Sequence, residues 1–320
     1  MQDDHYVAQT YLRHFAGPNK MLRAYRKSNG ETFPCTPSSI CHERDGDIIP
    51  DFLREPGYLG RYRAEFEPLW NAGIAALQAR APNASVKFQI AGYWAQLLVC
   101  TPTWTRIAKK SSDHMLGHVA SSLKPKSNKA LAAAVEDFKL GKITIETEKD
   151  FVRAHNAASV LNFAWALYNA DWKVYENDSD VPFLTSDNPA AFEDMGDTWA
   201  GPASVPFVRY LPLTPKLCLE CDLTRHRERF TNVAADFSQP PQGIIRGGRV
   251  TLKGVEQINT YVVKCAEDLV LTSGESEYAR TLTARYAGFR VVSQSMRVES
   301  PRGVYIANRT RCVEPEPATT

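Results

Sequence analysis

The sequence predicts an α+β fold, with a mainly helical first half packed on a mixed or antiparallel sheet formed largely by residues after 171. Three observations carry that expectation. Residues 58–170 are alanine-rich with apolar residues at helical spacing, the character of the chain changes at Asp171, and short aromatic or β-branched runs broken by Pro, Asn and Asp follow. No internal repeat or low-complexity linker divides the 320 residues. Residues 1–312 are therefore expected to form one domain, with a disordered tail at 313–320.

The elements follow in order. "HYVAQTYLRHF" places Val7, Leu12 and Phe15 on the apolar stripe of a short helix stopped by "AGP", with His5 at its mouth. "MLRAYRK" and "GETFPC" predict a hairpin around "SNG", followed mostly by loop. From Tyr58 to about Arg80 the chain reads as helix, with Pro68 marking a kink or boundary. A second helical region from about Ser85 to Leu123 breaks at Thr101-Pro102, "SNKALAAAVEDFKLG" has a Ser or Asn start and a Gly stop, and a long helix ends near Ala170. Beyond Asp171, "WKVYEN", "VPFLTSD", "FVRYLPLTP" and "KLCLECD" read as strands. "VEQINTYVVKCAED" and "SEYARTLTARYA" read as helices on either side of the strand "LVLTSG".

Composition sets limits on function. The formal charge of +2 is too near neutrality to imply a general nucleic-acid or membrane partner, so any basic surface is local. No run of 18 apolar residues exists, which argues against a membrane span, and the first residues lack a signal-peptide pattern. A cytoplasmic location is the expectation. Seven cysteines, an odd number without small-scaffold spacing, agree with reduced thiols.

Several familiar chemistries are missing. "GGRVTLKG" has neither Walker nor dinucleotide-binding spacing, and no G-x-S-x-G elbow occurs. His114 and His118 stand at i, i+4, but the glutamate of a zinc-protease helix is absent between them. Cys218 and Cys221 lie three apart in a predicted strand, where they face opposite sides.

Two segments carry candidate chemistry. In "FLTSDNPAAF" an apolar strand runs into Thr185, Ser186, Asp187 and Asn188 and is stopped by Pro189, an arrangement that sets a carboxylate and an amide at a sheet rim. The same residues also suit an Asx turn before proline. In "CTPTWTRI" a proline break leaves Arg106 one turn on, free to grip an anion or to pair with Glu65 or Glu67.

These motifs, in this order, resemble a microbial family called domain of unknown function 4238. "HYVAQTYLRHFA" is similar to that family's His-Tyr-Val-Pro opening, "TPTWTR" to its Arg-Thr-Pro-x-x-Arg segment, and "FLTSDNPAA" to its Thr-Ser-Asp-Asn-Pro segment. "YLPLTPKLCL" resembles its Pro-Leu-Ser-Pro strand, and "INTYVVKCAEDLVLTS" makes Asn259 the matching asparagine. Ala8 stands where the family has proline, and Cys100 where it has arginine, which moves any anion contact to Arg106. The resemblance sharpens a residue list and names no reaction.

The expectation that follows is a hydrolase, of a metal-dependent nuclease or other phosphodiester-cleaving type. His5 would be the general acid or base, Asp187 with Glu65 or Glu67 would hold Mg²⁺ or Mn²⁺ or position water, and Arg106 would stabilise the anionic transition state. Gln9, Ser186, Asn188 and Asn259 would bind substrate, a nucleic acid or nucleotide. One alternative is a non-catalytic binding or sensor component of a defence or toxin system; another makes Ser186 a nucleophile. The enzyme reading has its main support if His5, Arg106 and Asp187 meet in one cleft.

Overall fold

A computed structural model describes residues 3–49, 54–125, 128–194, 203–204, 208–224, 235–300 and 303–314. The helices begin where side chains can satisfy their orphan amides. Asn83 accepts from the Val86 amide at the start of α4 (Ala84–Cys100), Thr101 from Trp104 at α5 (Pro102–Ser122), and Asn128 from Leu131 at α6 (Lys129–Lys139). Pro102 occupies the first turn of α5, where its missing N–H costs nothing, so the proline starts a helix instead of bending one. Pro68 likewise falls in a single 3₁₀ turn between α2 (Tyr58–Phe66) and α3 (Trp70–Gln78). The long α7 (Lys149–Asn169) packs against α4, which is buried over most of its length.

The α+β expectation holds, with a helical first half and strands mostly after 171. Near the N-terminus lie β1 (Asp3–His5), α1 (Gln9–Leu12), β2 (Leu22–Arg26), β3 (Thr32–Cys35) and β4 (His42–Arg44). The hairpin of β2 and β3 forms as the sequence indicates, and β4 adds a short strand within the expected loop, pairing antiparallel with β1.

After α7 come β5 (Asp171–Asn177), β6 (Thr185–Ser186), β7 (Ala191–Phe192), β8 (Ala203–Ser204), β9 (Val208–Thr214), β10 (Leu217–Asp222) and β11 (Ile245–Val250). The remainder is α8 (Leu252–Cys265), β12 (Leu269–Thr272), α9 (Glu277–Arg285), β13 (Arg290–Ser300) and β14 (Gly303–Val313). One sheet has the order β11-β5-β10-β9-β7 and is mixed, because β11 runs parallel to β5 while the other pairs are antiparallel. A second, β3-β2-β12-β6, is antiparallel and joins the N-terminal hairpin to the last third of the chain.

Two sequence expectations need correction. The strand expected over "VPFLTSD" is only Thr185–Ser186, since the Phe183 amide bonds the Pro215 carbonyl and the Leu184 amide bonds the Asn259 side chain instead of a neighbouring strand. The disordered tail expected over 313–320 does not include Val313, which is in β14, and residues 315–320 lie outside the described residues.

The main core gathers Tyr11, Leu12 and Phe15 of the first segment around Trp70, Tyr93 and Trp94. Tyr11 donates its hydroxyl to the Pro212 carbonyl at 2.7 Å, which leaves the Thr185 hydroxyl to donate to Tyr11, also at 2.7 Å. Helices α2 and α4 approach so closely at Gly92 that a Cβ there would lie 2.1 Å from the Phe66 ring. Buried Lys27 donates to the carbonyls of Val263 and Ala266, placing a cation at the C-terminal end of α8.

Candidate functional site

The Thr185–Asn188 turn is the best-fastened part of the molecule. Strand β6 pairs with β12, which brings residue 187 against the turn between α8 and β12. Asp187 is 3% exposed. Its Oδ1 accepts the Glu267 amide at 2.9 Å, and its Oδ2 accepts those of Asp268 at 2.8 Å and Leu269 at 2.9 Å. Burial pushes this carboxyl up to about 6, with the three amides pulling the other way.

Its neighbours face backbone in the same manner. Asn188 donates Nδ2 to the Cys265 carbonyl at 2.7 Å and accepts the Thr101 hydroxyl at 3.4 Å. Asn259 accepts the Leu184 amide and donates to the Pro182 carbonyl, both at 2.9 Å. Ser186 is fully buried and its hydroxyl oxygen accepts the Asn188 amide, so a nucleophilic Ser186 has no approach for a substrate.

Arg106 belongs to the same framework. Its guanidinium forks onto Glu267, with both N–H···O distances 2.7 Å, and the Thr103 hydroxyl joins that carboxylate at 2.7 Å. Burial would raise the Glu267 carboxyl, but the Arg106 fork and the Thr103 hydroxyl outweigh it and hold it below its ordinary value. The pairing foreseen with Glu65 or Glu67 is thus replaced by one with a residue on the α8–β12 turn. The helix start at Thr101–Arg106 and the Thr185–Asn188 turn are two clasps on one segment, Cys265–Leu269.

The metal arrangement drawn from the sequence is not assembled. Glu65 is exposed on α2, whereas both Asp187 oxygens face amides within the protein. Among the described residues no group of three or more His, Cys, Asp or Glu is placed to hold a metal ion. His114 is exposed and within 2.9 Å of the Ser295 hydroxyl.

His5 lies elsewhere. It ends β1 opposite His42 of β4, their ring centroids 5.4 Å apart, and precedes α1 instead of riding on it. It lines a cleft of about 410 Å³ with Gln9, Thr10, Arg13, Arg63 and Glu67, and neither Arg106 nor Asp187 is in that lining. The structure thus places His5 and Gln9 in one cleft and Asp187 and Arg106 outside it.

The cleft has a defined polar order. Thr10 donates to Glu67 at 2.6 Å, Arg13 to Gln9 at 3.0 Å, and Arg63 to buried Asp47 at 2.8 Å. With the Gln96 amide turned so that its oxygen faces a donor, it also accepts from Arg63 Nε. His5 Nε2 is buried and has no hydrogen-bond partner. Burial first, and repulsion from His42 and Arg63 next, lower the His5 pKa, while a hydrogen bond to the Ser38 backbone and the Glu67 carboxylate oppose the shift.

Arg63, Arg13 and Thr10 escaped sequence reasoning. Arg63 sits in "YLGRYRAEFE", a row of charges typical of a solvated helix face, yet it bonds Asp47 and lines the cleft beside β1, on the helix whose Phe66 packs at Gly92.

No curated protein and no solved structure matches the chain. A family model does match, over residues 4–276, from the strand that carries His5 through both clasps to the Ser276 cap of α9. The chain therefore belongs to the family described as protein of unknown function, DUF4238.

Proposed function

We propose that the His5 cleft is the reactive site of a hydrolase acting on phosphodiesters. His5 serves as general base and then general acid, Arg63 and Arg13 meet the phosphoryl oxygens, and Gln9 and Thr10 orient the substrate. The observation that carries this reading is the His5 imidazole, its Nε2 without a partner among the described residues, lining one cleft with Arg13 and Arg63 and with the carboxylates of Asp3, Asp4 and Glu67. An unpaired imidazole nitrogen whose pKa is lowered is neutral at pH 7, the state a base requires. Glu67, near the imidazole and fixed by Thr10, favours the imidazolium formed after proton transfer. In this reading Asp187 and Arg106 act only by holding the framework.

The test is incubation with pooled RNA, DNA and nucleotides, with and without Mg²⁺ or Mn²⁺. Wild type is expected to release phosphomonoester products, and His5→Ala to lose that turnover while keeping its melting temperature within a few degrees. Equal turnover by His5→Ala would remove the proposal.

The internal saturation of Asp187, Asn188, Asn259 and Arg106 favours a second reading. Here the cleft is a binding or sensing site without chemistry, as in the recognition component of a defence or toxin system. Anion binding to the cleft without product release would select it.

A further inference from the structure

A second cavity, of about 350 Å³, opens between α5, α7 and the β13–β14 pair, and shares no lining residue with the His5 cleft. Its size falls within the range of roughly 300–1,000 Å³ usual for small-molecule sites. Trp104 and Phe163 form one wall, their rings edge to face at 5.3 Å and 87°. Ile107 and Met115 add apolar surface, and Ser112 supplies a hydroxyl. No Asp, Glu, Lys or Arg is among the lining residues. Exposed His155, also in the lining, is the one titratable side chain there, so a charged ligand would find no permanent counter-ion.

Asn156 of α7 lines the cavity, is 3% exposed, and its Nδ2 is buried without any acceptor. Folded proteins rarely leave such a donor unmatched, because it has lost water and gained nothing. The helix itself offers a remedy that Asn156 does not take. Asn169, on the same helix, donates its Nδ2 to the Trp165 carbonyl one turn back at 3.0 Å. The Asn156 amide instead lies in the cavity wall with Trp104 and Phe163, its Nδ2 without a partner among the described residues.

We infer that this cavity binds an uncharged, flat heteroaromatic compound of nucleoside size. Its hydrogen-bonding edge pairs with the Asn156 amide, which can turn either its oxygen or its NH₂ group to the cavity, and its ring lies against Trp104 and Phe163. The inference does not depend on the reaction proposed for the His5 cleft.

Titration of the full chain with uridine, cytidine, adenosine and guanosine, by saturation-transfer NMR and calorimetry, tests it. At least one nucleoside is expected to bind, and its 5′-monophosphate to bind no more tightly. Asn156→Leu is expected to weaken that binding at least tenfold while holding or raising the melting temperature, since it removes an unmatched buried donor. Ser112→Trp, which fills the cavity, carries the same expectation should Asn156→Leu fail to fold. His5→Ala is expected to bind as wild type does. The inference is overturned if no nucleoside binds at millimolar concentration, if the monophosphate binds more tightly, or if binding survives in the folded variants. Loss of binding in His5→Ala would relocate the ligand to the other cleft and equally overturn it.

Discussion

Asp187 Oδ1 accepts the backbone amide of Glu267 at 2.9 Å, and through that turn the carboxylate is tied to the residue that holds Arg106. Removing the carboxylate strands three buried amides at once. At about 1–3 kcal/mol for each unmatched donor, partly relieved by water, Asp187→Ala is expected to cost roughly 3–5 kcal/mol. Asp187→Asn keeps the volume but sets an NH₂ group against N–H donors, so it too is expected to be destabilising. Urea denaturation midpoints at constant m check both; a loss below about 1 kcal/mol would mean that the amides find other acceptors.

His5 gives the pH dependence. Its folded-state pKa is lowered from 6.5, so the unfolded chain binds the proton more readily. The His5 contribution to stability is therefore fully present above about 6.5 and is lost as pH falls through that value toward the folded pKa, while Asp187, raised to about 6, works in the opposite direction. Turnover limited by a neutral His5 should show its acid limb below 6.5. An NMR titration of the ring protons locates the pKa directly, and His5→Gln should flatten the stability curve in the same window.

The two arginines should separate by readout. Arg106→Lys keeps the charge but loses the fork; with both side chains partly exposed, about 1 kcal/mol of stability and no turnover should be lost. The contribution of the Glu267 pair is present above the ordinary glutamate pKa and lost as pH falls below it, because its folded pKa is lowered. Arg63→Lys should instead reduce turnover or anion binding more than tenfold. A thermal melt and a turnover assay on each variant decide the assignment.

Gly92→Ala tests what aims Arg63. The added methyl would drive into the Phe66 ring, so α2 must shift against α4. Overpacking of this kind costs about 1–3 kcal/mol. Both a lower melting temperature and weaker binding in the His5 cleft are expected.

Much of the fold was legible because its signals are local. The break at Thr101-Pro102 and the start at Asn128 both show in the sequence, the break proving to be the capped start of α5, and the Ser-Asn-Gly hairpin needs only its own residues. The site was legible only in part. Asp187 reads as a metal-holding residue and Asn188 and Asn259 as substrate ligands because polar side chains in a motif look alike whether they face a ligand or the backbone. What distinguishes them is the Cys265–Leu269 segment, some eighty residues away from Asp187 in the chain, as the Asp187–Glu267 separation of 80 shows. Arg106 was misjudged for the same reason, its partner Glu267 lying 161 residues downstream. His5 and Gln9 share a cleft because a strand end there meets the first residue of α1, a junction that helical spacing does not reveal.

The pairing of β2 with β12 has a consequence for how the chain is made. During synthesis the β2–β3 hairpin can close early, but the inner edge of β2 stays unpaired until Leu269–Thr272 has been translated, because Arg26 waits for Leu269. Contacts of such long range are slow to form, and an open strand edge invites wrong partners meanwhile. The amides that clasp Asp187 arrive with that same stretch of chain. Ribosome-bound chains halted before Glu267 should therefore remain protease-sensitive in the N-terminal hairpin, and closure of the Asp187 clasp should coincide with the last cooperative step of folding.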